Sequence, residues 1–365
     1  MKFSVAFFIA LSLLFFTSCK TTSVGYRLLH YGDSDINDFK RFPAHSLTAS
    51  TKPQAIKTDT GVFTYNKAEL HNFLGKKNTL AFLVMQGNTI VHEDYFDGYT
   101  SKDLIQAFSV TKSVTNLLTG CAIDDKLISS ENDFVVKYIP ELKGRGFDSI
   151  PILQLLQMTA PLKYIENGNP FGRHARFYYT AHIEDEVLKL KARPNGKRKF
   201  VYRSGDLQLL GLILKRALNG KSLSQYLQEK VREPLGMESP ALWTADNDST
   251  GLEKTFCCLA TTVRDLAKIG RLYLNNGQWN GKQIVSENWI RKTLQPLQNK
   301  NADMVYNYNW WLYPKRNAFV AIGKDGQFIY VRPDKDLVIV RMGKNIGHIN
   351  RYKWFDLFDN IASKF

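Results

Sequence analysis

Ser109 and Lys112, in the stretch Ala107-Phe108-Ser109-Val110-Thr111-Lys112-Ser113, form the one Ser-x-x-Lys of this chain. On a helix, residues three apart share a face with Cβ atoms about 5 to 6 Å apart, so the lysine amine reaches the serine hydroxyl and can take its proton. Without such a base a serine hydroxyl is inert at neutral pH. A second group, Phe200-Val201-Tyr202-Arg203-Ser204-Gly205-Asp206, places Tyr202 and Ser204 two apart in an extended stretch. They project to the same side, where a phenol and a hydroxyl can relay a proton. A third, Ile322-Gly323-Lys324-Asp325-Gly326-Gln327, sets a cation beside a glycine at the entrance to a strand. Such a strand edge admits a ligand close to the backbone and can offer an N–H to an oxyanion. Lys268-Ile269-Gly270 repeats the lysine-glycine spacing, but inside a helical pattern.

The elements that must carry these groups follow from periodicity. Val110, Val114, Leu117, Leu118 and Cys121 recur at helical spacing and predict a core helix with Ser109 in its first turn. Asp206 is the expected N-cap of a helix that starts near Leu207. Leu80 to Gln86 and Thr89 to His92 read as strands joined by a Gly87-Asn88 hairpin turn, and Phe319 to Ile322, Gln327 to Val331 and Leu337 to Met342 read as strands near the other end. Between these ends the pattern is helical, over Ile152 to Met158, Leu207 to Leu218, Leu223 to Val231 and Val263 to Leu274, with Gly220 and Gly277 as stop signals. The chain leaves a sheet, builds a helical region and returns. Residues 159 to 199 are polar, aromatic and without period, which suits a binding segment. Tyr164, Phe171, Tyr178, Tyr179, Trp310 and Trp311 are candidate pocket walls.

Composition bounds the rest. With 365 residues, 44% hydrophobic and 13% aromatic, the chain has ample material for a packed core. Its 49 basic against 34 acidic residues leave +15, a charge attracted to anionic surfaces. The basic runs, such as Lys197-Arg198-Lys199, are short, and without a helix-turn-helix, zinc-finger or aromatic-basic motif they do not make a nucleic-acid binder. Met1-Lys2, the apolar run Phe3 to Phe16 and Thr17-Ser18-Cys19 have the layout of a secretory signal. The run is too short to span a bilayer as a mature helix. Residues 20 to 60 read as a polar tether and 61 to 365 as one folded domain. Cys257 and Cys258 are adjacent and Cys121 lies on an apolar helix face, so no disulfide framework is expected. The seven histidines are scattered and no metal-ligand spacing occurs, so no metal is expected.

Ser-x-x-Lys at a helix start, Tyr-x-Ser before a second helix and Lys-x-Gly at a late strand, in that order, resemble the penicillin-recognising serine hydrolases, or β-lactamase-like family. The sequence looks most similar to the class C-related branch of esterases, nylon-oligomer hydrolases and D-alanyl peptidases. Supporting stretches are Leu155-Leu156-Gln157-Met158-Thr159, Leu209-Leu210-Gly211, Glu233-Pro234-Leu235-Gly236-Met237 and Ala260-Thr261-Thr262-Val263-Arg264-Asp265-Leu266-Ala267. The resemblance covers about residues 62 to 350. It implies an α/β fold: an antiparallel sheet from N- and C-terminal strands (about 61–108 and 310–365), flanked by helices, with a mostly helical part (about 109–309) inserted. It also implies hydrolysis of an ester or amide through an acyl-enzyme at Ser109, with Lys112 and Tyr202 moving protons, Ser204 and Lys324 supporting them, and the Ser109 and Gln327 N–H groups as oxyanion hole. Lys112 is expected to be buried beside Lys324, which would lower its proton affinity. No cofactor is implied. An esterase or amidase is expected ahead of a D-alanyl peptidase or β-lactamase, and a non-catalytic binding or sensing lipoprotein is the reading from another class. Cys19 resembles the lipidated cysteine of a bacterial lipoprotein box, which implies export and a lipid anchor in the cell envelope. Departures are Ser204, where β-lactamases of this class have asparagine, and Ala160-Pro161, where the branch has Ser-Gly.

Overall fold

The computed structural model describes residues 24–167, 169, 171–194, 196–247, 250–296 and 303–365. Fourteen strands and twelve α-helices organise them. The strands are β1 (Ala44–Leu47), β2 (Lys57–Thr58), β3 (Thr79–Gln86), β4 (Thr89–Tyr95), β5 (Ile105–Gln106), β6 (Ala241–Thr244), β7 (Leu259–Thr261), β8 (Gln278–Trp279), β9 (Lys282–Gln283), β10 (Val305–Asn307), β11 (Trp310–Tyr313), β12 (Ala318–Gly323), β13 (Gln327–Arg332) and β14 (Leu337–Gly343). Seven of the helices are α1 (Val24–Tyr31), α2 (Lys67–Lys76), α3 (Thr111–Asp124), α4 (Arg173–Tyr179), α5 (Ser204–Ala217), α6 (Val263–Leu274) and α7 (Arg351–Ala362).

The main sheet runs β10-β11-β12-β13-β14-β3-β4-β2, so strands from the two chain ends meet at β14 and β3. Pairing is antiparallel throughout except for the two-residue edge strand β2 beside β4. Side chains alternate across a strand, and here both faces are covered. Leu83, Met85, Ile329, Val338 and Val340 enter one core, while Phe82, Val84, Phe328, Tyr330 and Ile339 enter the other. The second core is closed by α2 and α7, through Leu70, Leu74, Trp354, Phe355 and Phe358. Helix α6 closes the first, and its Gly270 has a reason to be glycine: a Cβ there would stand 2.7 Å from Ile329 and Val338. This architecture is the expected one. A smaller antiparallel sheet, β1-β6-β7-β5, joins β6 and β7 of the helical part to β1 and β5 from the N-terminal side.

Helix α3 was expected to bury one face. Instead every residue from Thr111 to Ala122 is buried, because the helix runs through the first core. Two of its threonines bond back to the helix, Thr115 and Thr119 each donating to the carbonyl four residues back at 3.1 and 2.8 Å.

The tether expectation also needs correcting. From Val24 onward the segment is packed on the body, with β1 paired to β6 and Ile36, Phe39, Phe42 and Leu47 buried. These apolar residues are sparse enough to escape a composition reading, yet Phe42 packs on Tyr178 and Tyr179 of α4 and Leu47 pairs with Ala241 of β6. Arg27 reaches under this cover to the carbonyls of Tyr179 and Thr180 at 3.3 and 3.2 Å.

Beneath the same cover Lys254 is fully buried, its Nζ 2.5 Å from the Tyr178 carbonyl and 3.5 Å from the centre of the Phe42 ring. Burial drives its amine well below the ordinary lysine value, with Arg27 acting in the same sense and Asp38 and Asp246 opposing. At pH values between the lowered folded value and the ordinary lysine value the unfolded chain binds a proton that the folded chain does not, so the stability contributed at Lys254 grows as pH rises through that window. Thermal midpoints of the wild type are expected to gain on those of Lys254→Met as pH is raised toward about pH 10. A constant difference would contradict this.

Candidate active site

The chain reaches Ser109 through a forced turn. Phe108, Ser109 and Val110 form a 3-10 turn leading into α3, and Phe108 takes φ 46°, a left-handed conformation costing a bulky residue about 1–3 kcal/mol. The surroundings hold it there. Ala107 N–H donates to the Leu259 carbonyl at 2.8 Å, and Leu259 N–H donates to Thr111 Oγ1 at 3.2 Å. On the other side β12 presses against the turn so closely that a Cβ on Gly323 would stand 2.5 Å from the Ala107 carbonyl oxygen. Gly323→Val must push strand and turn apart, and is expected to lower ester turnover at least about tenfold while costing about 1–3 kcal/mol of stability. Unchanged turnover would show that the strand does not set the turn.

One helical turn on, the Lys112 Nζ lies 2.7 Å from Ser109 Oγ and donates to the Phe256 carbonyl, also at 2.7 Å. Lys112 is 1% exposed, so bulk water does not compete for its amine. Its Nζ is 5.0 Å from the centre of the Tyr202 ring. That ring is fixed by stacking on Trp311 at 5.8 Å and by an edge contact with Tyr306 at 5.7 Å. Ser109, Tyr202, Trp311, Ile322, Gly323 and Lys324 line one cleft of about 520 Å³, closed below by Phe328 and Ile346.

The other expected site residues are placed differently. Ser204 donates from Oγ to Glu166 at 2.9 Å, and its N–H donates to the same carboxylate. Glu166 thus satisfies the first turn of α5 from outside, which is why the helix begins at Ser204 rather than near Leu207. Asp206, expected as N-cap, lies inside that first turn and pairs with Arg203 at 2.8 Å. Burial pushes its carboxyl up to about 7 against the pull of Arg203. Lys112 is buried as expected, but Lys324 lies in the open: its side chain is 47% exposed, and Nζ donates to the Ser34 carbonyl and hydroxyl at 2.5 and 2.8 Å. The cause is the packed N-terminal segment, which brings Ser34 to the rim of the cleft. Gln327 opens β13 after the tight turn Lys324–Gly326, and its N–H donates to the Lys324 carbonyl within that turn. Its amide side chain is bonded to both backbone groups of Gly343, at 2.7 and 2.9 Å.

Several neighbours were missed. Arg341, fully buried, spreads its guanidinium over the Gly326, Lys77 and Asn345 carbonyls at 2.8, 2.8 and 3.0 Å and so braces the Lys324 turn from behind. An arginine inside the apolar run Leu337 to Met342 was the available signal. Glu166 and His174 come from the unpatterned stretch, where nothing in the spacing marks them. Burial draws the His174 imidazole down, Glu166 opposing and Lys112 adding to the effect. Of the aromatic candidates, Trp311 is in the cleft wall, Trp310 is fully buried on the opposite face of β11, and Tyr164 stacks on Phe177 at 5.7 Å. Tyr178 and Tyr179 pack against Phe42, and Phe171 is 79% exposed. Cys257 and Cys258 are joined to each other, contrary to expectation. Cys258 takes φ 78°, a left-handed backbone turn beside its neighbour. Cys19 lies outside the described residues.

This order of motifs on this topology has a match among known families, since residues 71–344 fit the profile described as Beta-lactamase. The chain belongs to the beta-lactamase family. Within the family it is 28% identical over 299 residues to the 6-aminohexanoate-dimer hydrolase of Paenarthrobacter ureafaciens, covering 75% of this chain and 74% of that one. A solved structure described as a candidate 6-aminohexanoate-dimer hydrolase from Bacillus anthracis superposes with TM-score 0.78 at 23% identity, over 92% of this chain and 94% of its own. A class C beta-lactamase mutant superposes with TM-score 0.60 at 16% identity, over 81% and 95%. These likenesses make the chain a hydrolase of the beta-lactamase family with 6-aminohexanoate-dimer hydrolase neighbours.

Proposed function

We propose that this protein is a serine hydrolase that cleaves a modest-sized ester or amide through an acyl-enzyme on Ser109, as an esterase or amidase rather than a β-lactamase. The observation that carries the reading is the Lys112 amine, buried and held 2.7 Å from Ser109 Oγ, with Ser109 lining an open cleft. In the neutral amine one N–H goes to the Phe256 carbonyl and the lone pair takes the Ser109 proton as Oγ attacks the substrate carbonyl. Tyr202 passes a proton to the leaving group, and water then releases the acyl group by the reverse relay. Ser204 acts at one remove, by holding Glu166 and the start of α5. Lys324 and the Gln327 N–H serve the oxyanion side, which requires substrate to open the Lys324–Gln327 turn hydrogen bond.

The walls Tyr202, Trp311, Ile322 and Phe328 suit a flexible apolar acyl chain, and the 6-aminohexanoate-dimer hydrolase relative points to linear amides. Purified protein offered a short-chain aryl ester, a linear ω-aminoacyl amide, a D-Ala-D-Ala peptide and a chromogenic cephalosporin is expected to turn over the first two fastest. Preferential turnover of the cephalosporin would overturn the esterase-amidase reading.

For location, the leader and Cys19 support export and a lipid anchor in the cell envelope, by which the enzyme would meet its membrane. No helix among the described residues is long and apolar enough to cross one. Radiolabelled palmitate incorporation lost in Cys19→Ser supports the anchor; incorporation unchanged by that substitution rejects it.

A further inference from the structure

The residues on the far side of Lys112 from the serine form one short run, 255–259, and Thr255, Phe256 and Leu259 spend polar groups on the catalytic elements. Thr255 accepts from Thr115 of α3 through its carbonyl at 2.9 Å and donates through Oγ1 to the Leu207 carbonyl of α5 at 2.7 Å. Phe256 gives its carbonyl to Lys112 at 2.7 Å. Leu259 meets Ala107 and Thr111 on either side of Ser109, at 2.8 and 3.2 Å. Between Phe256 and Leu259 stands the bonded pair Cys257–Cys258, buried at 4% and 1% exposure. A covalent ring of adjacent residues removes rotational freedom from the one peptide unit that separates the carbonyl facing Lys112 from the contacts facing the serine turn. Cys257 N–H is tied to the Lys254 carbonyl at 3.2 Å and the Cys258 carbonyl to Thr244 N–H at 3.1 Å, so the ring is anchored at both ends.

We infer that the Cys257–Cys258 bond is a positioning element for the base: it locks the Phe256 carbonyl against the Lys112 Nζ, and so aims the lone pair of that amine at Ser109. This rests on the serine-hydrolase reading above. When the bond is opened by a dithiol reductant, the sulfur–sulfur bond breaks, two electrons and two protons pass from the dithiol to give two cysteine thiols, and the reductant closes to its own cyclic disulfide. The freed peptide lets the carbonyl drift, and the amine loses the partner that orients it. Substrate, which binds on the opposite side of Ser109, is not touched.

The test uses the full-length protein in three states, as prepared, reduced with dithiothreitol under mild denaturant and returned to buffer, and reoxidised. Intact mass reports the gain and loss of two hydrogens, and Cys257→Ala/Cys258→Ala serves as the permanently open form. With an aryl ester, reduction and the double substitution are each expected to lower kcat at least about tenfold with KM within about twofold, the scale of cost for small misplacements of a catalytic group. Reoxidation is expected to restore the rate. A kcat unchanged in the reduced protein and in the variant overturns the inference. So does a loss that follows a lowered thermal midpoint and raises KM as much as it lowers kcat, because that marks a general structural role. Ser109→Ala assayed alongside separates the two claims, since an active Ser109→Ala protein rejects the serine-hydrolase reading itself, whatever the cysteines do.

Discussion

Lys112→Ala is expected to lower kcat for an aryl ester by about 10⁴ to 10⁶ with little change in KM, as is Ser109→Ala, and the double variant is expected to be no worse than either alone. The magnitude follows from geometry. The amine is 2.7 Å from Ser109 Oγ and 1% exposed, so no solvent base takes its place when it is removed, and a hydroxyl left without it is not a nucleophile at neutral pH. The lack of additivity follows from mechanism, because base and nucleophile act in one step. Steady-state rates of the three variants with matched thermal midpoints decide the matter. The midpoints are needed because alanine at 112 leaves the Phe256 carbonyl without its donor, a buried loss of about 1–3 kcal/mol. A Lys112→Ala enzyme within tenfold of wild type, or effects that multiply in the double variant, would remove Lys112 from the role of base.

Tyr202→Phe should cost about 10² to 10⁴ in kcat, the usual range for a positioned proton-transfer group. The substitution is chosen because the ring has its own work. Stacking on Trp311 at 5.8 Å and the edge contact with Tyr306 survive the loss of the hydroxyl, so folding and KM are expected to stay put. The Lys112 amine also keeps its 5.0 Å approach to the ring face. Full activity in Tyr202→Phe would assign the leaving-group proton to water and reduce Tyr202 to a wall of the cleft.

The sequence was most legible where one residue type and one spacing suffice. Ser109 and Lys112 are three apart on a helix, so their contact needed only the helix to form, and the strands from both ends were marked by apolar runs and by glycines at turns. Contacts set by remote segments were not legible. Ser204 points to Glu166, Lys324 to Ser34 and Lys112 to Phe256, partners 38, 290 and 144 residues away. No local period encodes such distances. The N-terminal segment shows the same limit from the composition side. Ile36, Phe39, Phe42 and Leu47 are too few to mark a folded region, yet all four are buried, Phe42 against Lys254 and Leu47 in the pairing of β1 with β6. The paired Cys257 and Cys258 required a backbone conformation at φ 78° that adjacency alone does not suggest.

Intact mass followed by peptide mapping decides whether an acyl-enzyme forms. After a brief exposure to an aryl ester and an acid quench, one added acyl group is expected, located on Ser109 and absent from Ser109→Ala. An acyl group on any other residue, or turnover of the ester by Ser109→Ala at the wild-type rate, would contradict acylation at Ser109.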